Sequence, residues 1–326
     1  MKAALKFRYG TPDVVEVRDV VIPEPGEGDV QVRVRAASVN RADLDGIEPK
    51  PGFIRLFTGL RAPREHRIGW DVAGEVESLG TGATRFAVGD AVFADLANHG
   101  AGSFAEYVVA PESAFEPMPP GMSFEDAATL PHSAVLALQG LRTRQGLTPK
   151  AGDRVLIVGA SGNVGPFAVQ IAKAMGTHVT AVASLSKLDL VRELGADAVI
   201  DYETTDFTRT GDRWDWILDT DTHTGFWRAR RALTPGGRYI TLGGGGWAIL
   251  RGMFGNLVLS RIGGKWTGLM LWWKPFHRPD VDRLKELIAA GQLRILIDRR
   301  YPLDEAREAL RQLHEGRARG KIVILP

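Results

Sequence analysis

Along the first third of the chain, apolar and polar residues alternate in short runs, as in VQVRVRAASV (30–39), GEVESLG (74–80) and AEYVVAP (105–111), with Gly and Pro between them. A period of two sends alternate side chains to opposite faces of an extended backbone, so these runs predict an antiparallel, barrel-like β domain. From about Phe124 the texture changes. The apolar runs RVLIV, HVTAVA, DAVI, WDWILD and GRYITL recur with helical patterns between them, an order that predicts a parallel sheet doubly wound with helices, the α/β class. Near the end, DVDRLKELIAAGQLRILI and LDEAREALRQLHEG carry amphipathic helix patterns, each leading into a strand-like run, the last being KIVILP. These return to complete the first domain. The expected division is therefore 1–123, 124–270 and 271–326.

Composition narrows what such a chain does. With 326 residues and 44% hydrophobic content it is long enough for two cores and too apolar for disorder. A formal charge of +2, from 41 basic and 39 acidic residues, leaves no excess for an obligate nucleic-acid partner. The absence of cysteine excludes disulfides, thiolate catalysis and cysteine-based zinc sites. The start MKAALKFRYG has no apolar signal core, so a cytoplasmic location is expected. Residues 246–276 are apolar and rich in Trp, but Arg251, Arg261 and Lys265 keep every stretch below the roughly 18 apolar residues of a membrane span. A helix and an edge strand buried in a cleft or a subunit contact are expected there instead.

The most informative stretch is VLIVGASGNVGPFAVQIAKAMG (155–176). An apolar strand runs into Gly159, Gly162 and Gly165, and the helix pattern that follows places Val164, Phe167, Ala168, Ile171, Ala172 and Met175 on one face. Glycines at these points permit a tight turn, close approach of a ligand to the backbone and close helix–strand packing, while the helix N-terminus offers unpaired N–H groups to a pyrophosphate. The next strand, THVTAVA, ends in Ser184-Leu185-Ser186-Lys187, with no carboxylate at its tip to hold a ribose hydroxyl. Two hydroxyls and a lysine receive the extra phosphate of NADPH, where an acid would repel it.

At ASVNRADL (37–44), GWDVAGEVESLG (69–80), TRFAVGDAVFA (84–94), GSFAEYVVAPE (102–112), AATLPHSAVLALQGL (127–141), the glycine turn, LGADAVIDY (194–202) and ALTPGGRYITLGG (232–244), the chain resembles the medium-chain dehydrogenase/reductase superfamily. The resemblance is to its zinc-free, quinone oxidoreductase-like branch, which includes the zeta-crystallins. It implies a GroES-like, mostly β catalytic domain completed by the C-terminus, a Rossmann domain and a homodimer. It also implies that Ser161, Gly162, Asn163 and Val164 form the pyrophosphate turn, Ser184 and Lys187 a phosphate clamp, and Tyr202 a flank to the adenosine end. By the same resemblance Gly243 and Gly244 approach the nicotinamide, Arg317 or Lys321 closes over the cofactor, and Asn40 and Asp43 stand beside the reacting ring.

Zinc-dependent relatives hold their metal at positions that here carry Asn40, Trp70 and His132, and one imidazole with an amide and an indole is no three-ligand zinc site. His132 departs from the small or aliphatic residue of this branch, and Leu136 from its Thr. An imidazole in the cleft protonates a reduced substrate or hydrogen-bonds its carbonyl; packing or capping at a helix start is the competing use. Trp70 is either a substrate platform or core. The resulting expectation is NADPH-dependent hydride transfer to an apolar conjugated acceptor, a quinone or enone. Metal-free carbonyl or imine reduction and a non-catalytic NADPH sensor remain open alternatives.

Overall fold

The computed structural model describes residues 1–49, 52, 55–220, 224–242, 264–270 and 272–326. The described chain divides into two units, one made of Met1–Ser133, Pro275–Val281 and Ile295–Pro326, the other of Ala134–Lys274 and Asp282–Arg294.

In the first unit, β1 (Lys2–Lys6) and β2 (Val15–Asp19) pair antiparallel. The alternating run at 30–39 lies in the long strand β3 (Asp29–Val39), which is followed by α1 (Arg41–Ile47) and α2 (Arg55–Thr58). β4 (Asp71–Leu79), β5 (Ala91–Asp95), β6 (Tyr107–Pro111) and β7 (Glu116–Pro117) continue the sheet. β4 and β6 both pair antiparallel with β3, with Val32 opposite Val76 and Val108. Apolar positions of these strands meet in one core that includes Val30, Val32, Val72, Val92 and Phe104. α3 (Phe124–Thr129) starts at Ser123, whose Oγ accepts from the Asp126 N–H at 3.1 Å, and packs on β3 and β4.

The second unit opens with α4 (Ser133–Gly140), whose first residue still belongs to the first unit. β8 (Arg154–Val158), α5 (Gly165–Ala174), β9 (His178–Ala183), α6 (Leu188–Glu193), β10 (Ala198–Asp201), β11 (Trp214–Asp219), α7 (Phe226–Arg231), β12 (Leu233–Thr241) and β13 (Trp266–Leu269) follow. The strands form one parallel sheet ordered β10-β9-β8-β11-β12-β13, the doubly wound Rossmann order, whose direction of winding reverses between β8 and β11. The strand β8 reads as a nearly continuous apolar run because helices cover both faces of such a sheet.

The C-terminal segments complete the picture with α8 (Arg278–Ala289), β14 (Ile297–Pro302), α9 (Ala306–His314) and β15 (Lys321–Leu325). β15 pairs antiparallel with β3, Ile324 opposite Ala37, and parallel with β14. The units depart from division at 123 and 270 in three places, one being that the second unit runs on to Lys274. Residues 124–133 go with the first unit through the packing of α3. Asp282–Arg294 goes with the second, where the Gln170 amide accepts from the Arg294 N–H at 2.9 Å and donates to the Arg294 carbonyl at 3.0 Å.

Candidate active site

Three charged residues lie buried at strand ends of the first unit: Asp71 opens β4, Asp95 closes β5 and Lys321 opens β15. Each is at most 3% exposed. The register of β3 against β4 places Ser38 opposite Asp71, and β15 runs beside the end of β3, so these groups converge where the chain leaves β3 for α1. Asp71 Oδ2 accepts from Ser38 Oγ at 2.8 Å and from Asn40 Nδ2 at 2.9 Å, while its Oδ1 accepts the His132 backbone N–H at 3.0 Å. Lys321 Nζ donates to Asn40 Oδ1 at 2.7 Å and to Ser133 Oγ at 3.0 Å, and lies 3.7 Å from Asp71 Oδ2. Burial pushes the Asp71 carboxyl up and the Lys321 ammonium down, each opposed by the charge of the other. Three hydrogen-bond donors and an ammonium around one carboxyl favour its ionised form, and the pair balances its charge inside the cluster.

Asn40, called from sequence as a group beside the reacting ring, is the centre of this cluster, with both ends of its amide engaged and 1% exposure. Asp43, in the first turn of α1, reaches back so that its Oδ2 accepts the Asn40 backbone N–H at 2.7 Å. Its other oxygen, Oδ1, is buried with no hydrogen-bond partner among the described residues. Burial, together with the nearby Asp71 charge, drives the Asp43 carboxyl up to about 7, although the Asn40 N–H, His132 and Lys321 pull the other way.

His132 stands just before α4, 7% exposed, with Nδ1 3.0 Å from Asp95 Oδ2; Asp95 Oδ1 accepts the Ala97 N–H at 2.9 Å and so is held in place. Burial opposes the imidazolium, but the Asp95 hydrogen bond and the charges of Asp95 and Asp71 outweigh it and raise the His132 pKa above its ordinary value. Trp70 meets His132 edge to face, ring centroids 5.4 Å apart. The structure thus brings Asn40, Asp43, Trp70 and His132 into one neighbourhood. Leu136 lies half-buried on α4, in the second unit.

In the second unit the chain leaves β8 through the glycine turn. Gly159 adopts φ +75, and a Cβ at Gly165 would fall 2.3 Å from the Gly159 carbonyl oxygen. The fold itself therefore requires both. Gly162 has no such constraint: a Cβ there meets nothing nearer than the Gly159 carbonyl oxygen at 3.4 Å, an ordinary contact. Ser161 is buried, Asn163 and Val164 half-buried, and Val164 caps α5 without a side-chain hydrogen bond to its N–H groups. Ser184 and Lys187 are half-buried past the end of β9, and Tyr202, 59% exposed, lies past the end of β10. Since β8, β9 and β10 are parallel, these residues and the glycine turn share one sheet edge. Gly243 and Gly244 lie outside the described residues. Arg317 is exposed and pairs with Glu308 and Glu315 on its own segment, and Lys321, read from sequence as an alternative cofactor contact, is instead the buried base of the Asn40 cluster.

Sequence reasoning missed the roles of Asp95, Ser133 and Lys321, and a second buried pair at the end of β11, where Tyr239 Oη donates to Asp219 Oδ2 at 2.8 Å. The available signal was charge at strand ends, in GWDVAGEV, AVFAD and KIVIL. Among the described residues no group of three His, Asp or Glu side chains is arranged to hold a metal ion, and no helix is long and apolar enough to cross a membrane.

Comparison with known proteins extends this geometry. Residues 26–120 match the alcohol dehydrogenase GroES-like domain family, and residues 194–324 match the zinc-binding dehydrogenase family. The chain is 34% identical over 315 residues to a chloroplastic quinone-oxidoreductase of Triphysaria versicolor, covering 94% of this chain and 93% of that one. It is 33% identical over 320 residues to a trans-enoyl reductase of Aspergillus terreus, covering 92% and 86%. The solved quinone oxidoreductase of Coxiella burnetii superposes with a TM-score of 0.85 at 28% identity, covering 100% of this chain and 99% of that one.

Proposed function

This chain belongs to the quinone-oxidoreductase-like branch of the medium-chain dehydrogenase/reductase superfamily, and from that membership we propose an NADPH-dependent, zinc-independent oxidoreductase that transfers hydride to a quinone or to the C=C bond of an enone. The observation that carries this reading is the ammonium of Lys321 2.7 Å from Asn40 Oδ1. A cation already stands against the residue at which metal-dependent relatives place a zinc ligand. The amide of Asn40 is committed at both ends, the indole of Trp70 is no ligand, and His132 alone does not make the three-ligand set of a catalytic zinc. The residues present do not fit that metal.

They do fit a dinucleotide. Gly162 lacks a side chain that the protein's own packing would tolerate, which accords with a pyrophosphate resting on the turn. Ser184 and Lys187 follow β9, whose own end carries no carboxylate, and favour the 2′-phosphate of NADPH. Bound there, the nicotinamide supplies the hydride. As the acceptor is reduced, negative charge grows on its oxygen and must be met by a donor. Asn40 is occupied and acts by positioning, so His132, whose proton is retained by Asp95, is assigned as the donor, with Trp70 beside it as an apolar wall. A homodimer and a cytoplasmic location belong to the same proposal: among the described residues β13 is the last strand of its sheet, and the sequence holds no cysteine.

NADPH consumption by chelator-treated protein tests the reading against a polycyclic quinone, an enone and the matching saturated ketone, with NADH as control and product masses recorded. Turnover of quinone or enone but not of the saturated ketone, with NADPH preferred, is the expected outcome. Loss of activity on chelation overturns zinc independence, reduction of the saturated ketone makes the protein a carbonyl reductase, and tight NADPH binding without turnover on all three makes it a sensor.

A further inference from the structure

From residue 222 to residue 279 the sequence carries nine Lys and Arg and no Asp or Glu, together with five of the eight Trp, although the net charge of the whole chain is only +2. A local excess of one sign in a nearly neutral chain points to a partner of the opposite sign. Within the second unit α7 displays part of this stretch. Phe226 and Ala229 turn inward to the core that also holds Leu233 and Tyr239, so helical spacing sets Trp227, Arg228 and Arg231 on the outward face, with Trp227 and Arg231 one turn apart. All three are exposed, Trp227 to 65% against 1% and 2% for Trp214 and Trp216 of the same unit.

On one flank of that face Arg228 pairs with Asp206, which also lies 3.4 Å from Arg209 Nε, so one carboxylate answers two guanidiniums. On the other flank Arg230 donates to the Lys265 carbonyl at 2.8 Å, while Lys265 Nζ donates to the Arg230 carbonyl at 3.2 Å. These reciprocal bonds hold two like charges side by side, and burial, followed by the charges of Arg230 and Arg213, pushes the Lys265 ammonium down. The acids at the start of β11 are engaged elsewhere: Asp212 lies 3.2 Å from Arg154, and Asp215 accepts the Arg154 N–H at 2.9 Å and the Thr234 hydroxyl at 2.8 Å.

We propose that the outward face of α7, with Arg209, Arg213 and Lys265 around it, docks the protein on an anionic lipid bilayer, where the cations meet the headgroups and Trp227 enters the headgroup layer. An indole has an apolar body and one N–H, and it gathers at the boundary between headgroups and hydrocarbon. Duplex nucleic acid offers the same negative charge without an apolar phase for the ring. The docking goes beyond the proposed activity and does not depend on it, and an apolar acceptor such as a quinone dissolves in the same bilayer.

The test is cosedimentation of the protein with vesicles of phosphatidylcholine, alone and with about one-third phosphatidylserine, at about 0.1 M salt, where charges are screened over about 10 Å, and at about 1 M, where the length is about 3 Å. Binding at the lower salt is expected to be at least tenfold tighter to the anionic vesicles than to the neutral ones, and to be lost at the higher salt. Each unit of charge at such a surface is worth about fivefold, so Arg231→Glu lowers the binding at least tenfold. Trp227→Ala lowers it at least threefold. Arg231→Gln, with an expected loss of about fivefold, stands in for either variant that does not fold. Equal binding to neutral and anionic vesicles, or unchanged binding in any of these variants, overturns the proposal. Tighter retention on duplex DNA than on anionic vesicles at the same salt overturns it in favour of a nucleic acid, and a vesicle-independent rise in mass that Trp227→Ala abolishes overturns it in favour of a second copy. Cosedimentation needs neither cofactor nor turnover, so a negative result is distinct from failure of the NADPH assay.

Discussion

At the scale of single residues, Asp43 shows how a buried acid ties function to stability. Its oxygen Oδ1 has no partner among the described residues and burial raises the carboxyl to about 7, so between roughly pH 4 and 7 the folded chain holds a proton that the unfolded chain has released. The stabilisation from that proton is complete below the lower value and is lost as pH rises through the upper one. The shift corresponds to a linkage on the order of 4 kcal/mol. Asp43→Asn, which keeps an acceptor for the Asn40 N–H, is therefore expected to gain several degrees in Tm relative to wild type between pH 5 and pH 8. Thermal scans across that range check it, and a difference that does not change with pH contradicts the buried, unpaired acid. The sequence carried Asn40 and Asp43 as a pair through SVNRAD. It did not carry Lys321, because a lysine opening KIVIL looks like any strand-end charge until β15 is laid beside β3 and its ammonium lands on Asn40.

Elements explain the glycine turn better than residues do. A strand entering a helix at this angle leaves no room at Gly165, whose Cβ would fall within 2.4 Å of the Ala160 carbonyl group, whereas Gly162 lacks any such contact. The two glycines look equivalent in GASGNVG and are not. Gly165→Ala is expected to destabilise the second unit by about 2 kcal/mol or more, since backbone must move. Gly162→Ala is expected to keep its Tm within about 2 °C of wild type, the shift of under 1 kcal/mol, while raising the NADPH dissociation constant at least tenfold. Calorimetry of the two variants with and without NADPH separates them; an unchanged dissociation constant in Gly162→Ala removes the pyrophosphate from the turn. The strand–helix order was legible here because β8, β9, β10, β11 and the end of β12 are apolar runs that no other element uses. The shared edge that unites the turn with Ser184, Lys187 and Tyr202 was legible only through the parallel direction implied by that order.

The whole molecule adds what neither scale holds. β13 lies at the edge of the six-stranded sheet, and the rings of Trp266 and Trp272 meet with centroids 5.8 Å apart. A strand that ends the sheet among the described residues, beside large aromatic residues, suits pairing with a second copy. Light scattering is expected to give a dimer for wild type and a lower mass for Trp266→Ala at low micromolar concentration, and a monomeric wild type refutes the edge as an interface. By itself the sequence determined the period-two β unit, the strand–helix series and the glycine turn, since each is written in local spacing or residue type. Tertiary structure alone decided that 124–133 packs with the first unit and that Asp71, Asp95, Lys321 and Ser133 gather around Asn40 and His132. Those facts join segments up to hundreds of residues apart, and a hydrogen bond between them depends on strand register, which local periodicity does not encode.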